Sequence, residues 1–138
     1  MIQRITLKAL AAATEDEKKV LNALGIFVPM DCVKIIPAKG HFGNEIKILE
    51  ATLSKKLCMD FFHTLKKRLP SDDQLKLHRE APERIDEMGC FHFRLDKQAA
   101  YRGYIKLTNS KDAIDISVRI VSFPASWKES IRVVRELI

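Results

Sequence analysis

The chain has 138 residues, 46% of them hydrophobic and 30% charged, a globular composition that excludes a disordered polymer. Five glycines and five prolines exclude collagen-like sequence, and no run approaches the ~18 apolar residues of a membrane span. Lys and Arg outnumber Asp and Glu by 24 to 18, a net charge of +6 that favours an anionic partner, RNA foremost, without specifying one.

The length predicts one domain over residues 1–138. The N-terminal MIQRITLKALAAATEDEKK lacks the apolar run and cleavage region of a secretory signal, so a cytoplasmic protein is expected. Cys32, Cys58 and Cys90, an odd and scattered set, read as reduced thiols, not as a disulfide framework.

Ile5, Leu7 and Ala9 alternate with Arg4, Thr6 and Lys8, the period of a half-buried strand. Thr14-Glu15-Asp16-Glu17 predicts a capping box opening a helix with Val20, Leu21 and Leu24 as its apolar stripe and Gly25 as a left-handed terminator. A second strand over 33–36 is expected to close at Pro37. The segment 38–44, AKGHFGN, predicts a turn into an antiparallel third strand ending at Leu53. Ser54 is expected to cap a helix over 55–69, where Cys58, Phe61, Phe62, Leu65 and Leu69 keep helical spacing. Pro70 ends it, and Ser71-Asp72-Asp73-Gln74 opens one or two short surface helices interrupted by Pro82.

Alternation returns over 90–95, with Phe91, Phe93 and Leu95 inward and His92 and Arg94 outward. Two further strands, 103–107 and 113–123, flank a turn at Asn109 and Ser110. Ser126 caps a final helix with Trp127, Ile131, Val134 and Ile138 toward the core. The string β-α-β-β-α-(α)-β-β-β-α predicts an α+β two-layer sandwich, a mostly antiparallel sheet with helices packed on one face.

Chemistry is sparse. Cys58, His63, Cys90 and His92 make no pair at CxxC or HxxxH spacing, so no metal is expected, and no cofactor motif is present. His41 and His92 are the candidates for acid–base work. Yet no GxSxG, HExxH or phosphate-cradling loop accompanies them, and His63, His78 and the acids 80–87 read as solvated helix faces. No catalytic residue is assigned, and a non-enzyme is expected.

Cations and stacking groups cluster in two segments. Arg94, Lys97 and Arg102, with Gln98 and Tyr101, stand within nine residues; Lys39, His41, Phe42 and Asn44 share a glycine-flanked turn. Arg and Lys neutralise phosphates, Gln and Asn meet bases or ribose hydroxyls, and Tyr stacks on an unpaired base. Strand-edge protection or turn formation would explain each residue singly. The basic helix ending in Lys66, Lys67 and Arg68 has a structural reason in its dipole, with phosphate contact as the alternative.

TEDEKKV, GHFGN, ERIDE and FHFRLDKQAAYRG together resemble a family of small archaeal proteins described as RNA-binding and as a predicted exosome subunit. LDKQAAYRG, 95–103, is the most specific element and GHFGN, 40–44, the second. The resemblance implies a fold like a large-subunit ribosomal protein of the central protuberance, or like a double-stranded-RNA-binding domain. It further implies RNA binding without catalysis through Gly40, Asn44, Asp96, Lys97, Gln98, Tyr101 and Gly103. Asp96 is expected to fix its loop, since a carboxylate repels phosphate. The expectation is therefore an RNA-binding accessory to exosome processing or ribosome biogenesis, with the two segments forming one outward patch. The alternative is a protein–protein adaptor that docks on a larger complex without touching RNA.

Overall fold

A computed structural model of the chain describes residues 2–40, 42–121 and 126–138. Its sheet has five strands: β1 (Ile2–Ala12), β2 (Val33–Lys39), β3 (Glu45–Ser54), β4 (Cys90–Asp96) and β5 (Ala113–Ile120), in the order β2-β3-β1-β5-β4. All four pairings are antiparallel. Among the described residues five α-helices accompany it: α1 (Glu17–Leu24), α2 (Lys56–Arg68), α3 (Ser71–Arg84), α4 (Lys97–Tyr101) and α5 (Trp127–Leu137). The α+β architecture is as the periodicity predicts.

One side of the sheet carries the core. Ile5, Leu7 and Ala9 of β1, Leu49, Ala51 and Leu53 of β3, Phe91, Phe93 and Leu95 of β4 and Ile114, Ile116 and Val118 of β5 are all buried. They meet the predicted stripe of α2, Cys58, Phe61, Phe62 and Leu65, and α1's Val20 and Leu24. Phe61 packs edge-on against Phe62 at 5.5 Å and tilted against Phe27 at 5.8 Å. The alternate residues of the same strands face away from every helix, because a strand's side chains change sides at each step.

Several local expectations are corrected. The α1 cap is Asp16, which accepts from the Lys18 amide at 2.9 Å; Thr14 stays outside the helix. Gly25 has φ −63° and is no left-handed terminator. Ser54 is the last residue of β3, and Lys55 turns the chain into α2 with φ 53° and no side-chain cap. Trp127 is 52% exposed, and Val134 alone of the four apolar positions named for α5 is fully buried. Residues 122 and 123, the end of the strand predicted over 113–123, lie outside the described residues.

Both prolines that break the predicted pattern sit inside elements. Pro37 lies in β2 because β2 is an edge strand. The Gly40 amide bonds the Asn44 carbonyl at 2.7 Å, so the even residues of β2 form the bonded pairs with β3 and the odd ones turn their amides to the free edge. Pro37 is odd and removes one of those outward donors. Pro82 lies in the last turn of α3, a single helix whose Leu77 and Ala81 are buried. Its missing N–H leaves the His78 carbonyl without a donor. Arg135 Nε of α5 supplies one at 3.1 Å.

The strand expected over 103–107 is absent: this stretch only bridges to β4 at Leu95 and Leu107, with the Asp96 amide on the Lys106 carbonyl. In the place of a projecting loop before it, residues 97–101 form α4.

Candidate nucleic-acid interface

The LDKQAAYRG segment folds inward. Asp96 Oδ1 caps α4 by accepting from the Ala99 amide at 2.9 Å, the loop-fixing role expected of it. Lys97 is 2% exposed. Its ammonium has three N–H donors, and three groups take them: the Leu10 carbonyl at 2.8 Å, Glu15 at 2.9 Å and Asp112 Oδ1 at 2.7 Å. Tyr101 is half-buried and donates its hydroxyl to Glu15 Oε2 at 2.7 Å, while Gln98 Nε2 donates to Asp112 Oδ2 at 3.1 Å.

These groups tune one another. Burial alone would lower the Lys97 ammonium, but the bonds to Asp112 and Glu15 outweigh it and hold its pKa above the ordinary lysine value. Burial raises Glu15, and the bonds from Tyr101, the Ala12 amide and Lys97 reverse that and hold it below the ordinary carboxyl. The bonds from Lys97 and Gln98 lower Asp112. Burial and the Glu15 carboxylate both raise Tyr101. The cluster fastens α4 to the turn after β1. Lys97 has no N–H left for a phosphate and Tyr101 no outward hydroxyl, so the outward orientation expected of both is corrected.

The expected common patch is corrected too. The 40–44 turn joins β2 to β3 at one edge of the sheet, and β4 lies at the other, with β1 and β5 between them. The acidic turn 15–17 intervenes: Glu15 holds Lys97 and Tyr101, while Glu17 pairs with Lys47 of β3 at 2.7 Å. Lys39 and Asn44 are exposed at the turn, and His41 lies outside the described residues. Asn44 folds its side chain over Gly40, where a Cβ would stand 2.5 Å from Asn44 Oδ1; Gly43 adopts φ +79°. Gly40 thus has a steric reason to be there and Gly43 a conformational one.

What the structure does assemble is the uncovered side of the sheet. Directly opposed residues of neighbouring strands share a face about 5 Å apart, and the register defines three rows. The first runs Lys34, Glu50, Lys8, Asp115, Arg94 across all five strands. The second is Thr52, Thr6, Ser117, His92, and the third Ser54, Arg4, Arg119, Cys90. Five cations therefore stand in these rows against two carboxylates, separated by a row of hydroxyls and an imidazole.

One carboxylate, Asp115, is committed to Arg94 Nε at 2.7 Å. His92 Nε2 meets Asp86 Oδ2 at 2.7 Å, and Asp86 Oδ1 accepts from the amides of Met88 and Cys90. Burial raises Asp86, and the bonds from His92 and the two amides outweigh it, leaving its carboxyl below the usual range. Among the described residues Arg4, Lys8 and Lys34 pair with no acid. Toward the 40–44 turn the same face becomes apolar, with Leu10, Ile48 and Ile36 in one row and Ala12, Ile46 and Ala38 in the next.

Arg94 and His92 point outward as predicted, whereas Arg4, Thr6, Lys8, Lys34 and Ser117 were not singled out as contact residues. The alternation of β1 already places Arg4, Thr6 and Lys8 on its outer side. Joining them to Arg94 needs the strand order, which no local pattern carries.

Fold and surface together define a class: a two-layer α+β protein whose sheet is covered on one side and shows cations and hydroxyls on the other. The chain belongs to the family described as RNA binding, whose model matches residues 4–120. It is similar to an RNA-binding protein of Pyrococcus abyssi, 32% identical over 96% of this chain and 90% of that one. Among solved structures it is similar to a protein of Archaeglobus fulgidus, 32% identical with TM-score 0.90 over the whole of both chains. A DUF54 protein of Methanothermobacter thermautotrophicus is 28% identical, with TM-score 0.83 over 99% of this chain and 98% of that one.

Proposed function

We propose that the protein binds RNA, without catalysis, through the uncovered face of its sheet, and that it serves as an accessory to exosome processing or ribosome biogenesis. Membership of the RNA-binding family supports the ligand, and the three rows support the place. Arg4, Lys8, Lys34 and Arg94 neutralise phosphates, while Thr6, Thr52, Ser117 and His92 between them bond ribose hydroxyls and phosphate oxygens. The rows contain no Phe, Tyr or Trp, and their one imidazole, His92, is bonded to Asp86. Recognition there is of backbone and shape, the mode suited to structured RNA.

The test is a salt titration of binding to a hairpin RNA by the wild type and by a variant carrying Arg4→Ser, Lys8→Ser and Arg94→Ser. Each lost phosphate contact lowers the log–log salt slope by roughly 0.7–0.9, so the triple variant is expected to lose about 2 to 3 from the slope. An unchanged slope would remove the sheet from the interface. A second reading, docking on a protein of the same complex, is favoured by the apolar corner at Leu10, Ile36 and Ile48. Co-purification of a partner that survives nuclease and is lost on Ile36→Lys would support it.

A further inference from the structure

We infer that the groove between the end of α2 and residues 102–106 is a second RNA site, specific for an unpaired nucleotide. It goes beyond the sheet-face reading and rests on different residues. The groove, about 780 Å³, is lined by Arg68, Arg102, Tyr104, Lys106 and Asp72 among others. Tyr104 is 68% exposed, and its side chain makes no hydrogen bond or ring contact among the described residues.

An aromatic ring left in water is normally on a mobile tip; the backbone that carries this one is fixed. The Tyr104 and Arg102 amides bond the Ala99 carbonyl, each at 3.0 Å, and the Gly103 amide bonds the Ala100 carbonyl at 3.0 Å. Gly103 takes φ +83°, open to glycine and costly for other residues. Arg68, the last residue of α2, closes the turn from the other side by donating Nη2 to the Gly103 carbonyl. The turn is in turn anchored through α4 to the buried Lys97. A solvated ring on a fixed backbone, with Arg102 and Lys106 lining the same groove, is the arrangement that stacks a base and holds its phosphate.

Two acids bear on the site. Asp73 is occupied, accepting from the Leu107 amide at 3.1 Å. Asp72 lines the groove without a partner among the described residues and offers an acceptor to the amino edge of a base, leaving phosphate to the cations. A paired base, already stacked on both faces, has no face to offer Tyr104, so the ligand is single-stranded RNA or a loop.

The experiment compares a fluorescein-labelled single-stranded RNA decamer with a blunt RNA duplex, binding each to the wild type, Tyr104→Ala, Tyr104→Phe and Arg102→Ala. For the single strand, Tyr104→Ala is expected to weaken binding about tenfold and Arg102→Ala several-fold, with Tyr104→Phe near wild type. The duplex is expected to be bound equally by all four. Single-strand binding unchanged by Tyr104→Ala, or an equal loss for the duplex, would overturn the inference. The sheet variant of the preceding section separates the two readings: its failure to alter duplex binding counts against the sheet and leaves the groove standing.

Discussion

Lys97, Glu15, Tyr101, Asp112 and Gln98 show how a polar cluster that looks like a ligand site can be a clasp. The lysine buries a charge only because three acceptors meet it, and removing one member of such a set exposes the rest to an unmatched charge. Lys97→Met is therefore expected to destabilise the fold by about 3 kcal/mol, measured by urea unfolding, while the folded variant keeps the RNA affinity of the sheet face. The cluster also sets a pH response. Glu15 and Asp112 have lower pKa values folded than unfolded. Their contribution is complete above the unfolded carboxyl value of about 4 and is lost as pH falls through the folded values. Lys97 and Tyr101 have raised values. Theirs is complete below about 10 and is lost as pH rises through the folded values. Unfolding free energy measured across pH is expected to fall at both ends, and to fall less steeply in Lys97→Met. The sequence showed that this segment was special; residue types alone could not tell inward from outward, because Lys, Gln and Tyr bond carboxylates as readily as phosphates.

Elements were legible where a period was long and the partner obvious. The stripe of α2 and the alternation of β1 and β4 predict their burial correctly, since each shows one face to the core. Prolines misled, because their cost depends on where the missing N–H points. Pro82 is tolerated through Arg135, 57 residues from the His78 carbonyl it satisfies. Pro37 is tolerated because its side of β2 faces no strand. There it blunts an edge that also carries Lys34 and Lys39. Restoring the donor with Pro37→Thr is expected to permit pairing between copies, seen as a concentration-dependent dimer by size-exclusion chromatography with light scattering. A strictly monomeric variant would show that other features of the edge suffice. The short helix α4 escaped because five residues are too few for a periodic signal.

At the scale of the molecule, the two faces of the sheet have divided tasks. One is sealed by helices into the core; the other keeps five cations, a hydroxyl row and an apolar corner in water. That division was only half legible, since the sequence places Arg94 and Lys8 outside but not beside one another. Strand order does that, through pairings between residues as far apart as Lys8 and Asp115. The Tyr104 turn follows α4, so the two proposed RNA contacts, a backbone-reading surface and a base-reading groove, rest on separate residues. The most direct measurement is an NMR titration of the labelled protein with a hairpin RNA. Shifts concentrated at Arg4, Thr6, Lys8, Ser117, His92 and Arg94 are the predicted result. Shifts confined to the 40–44 turn and 97–101, with the sheet residues silent, would contradict the account.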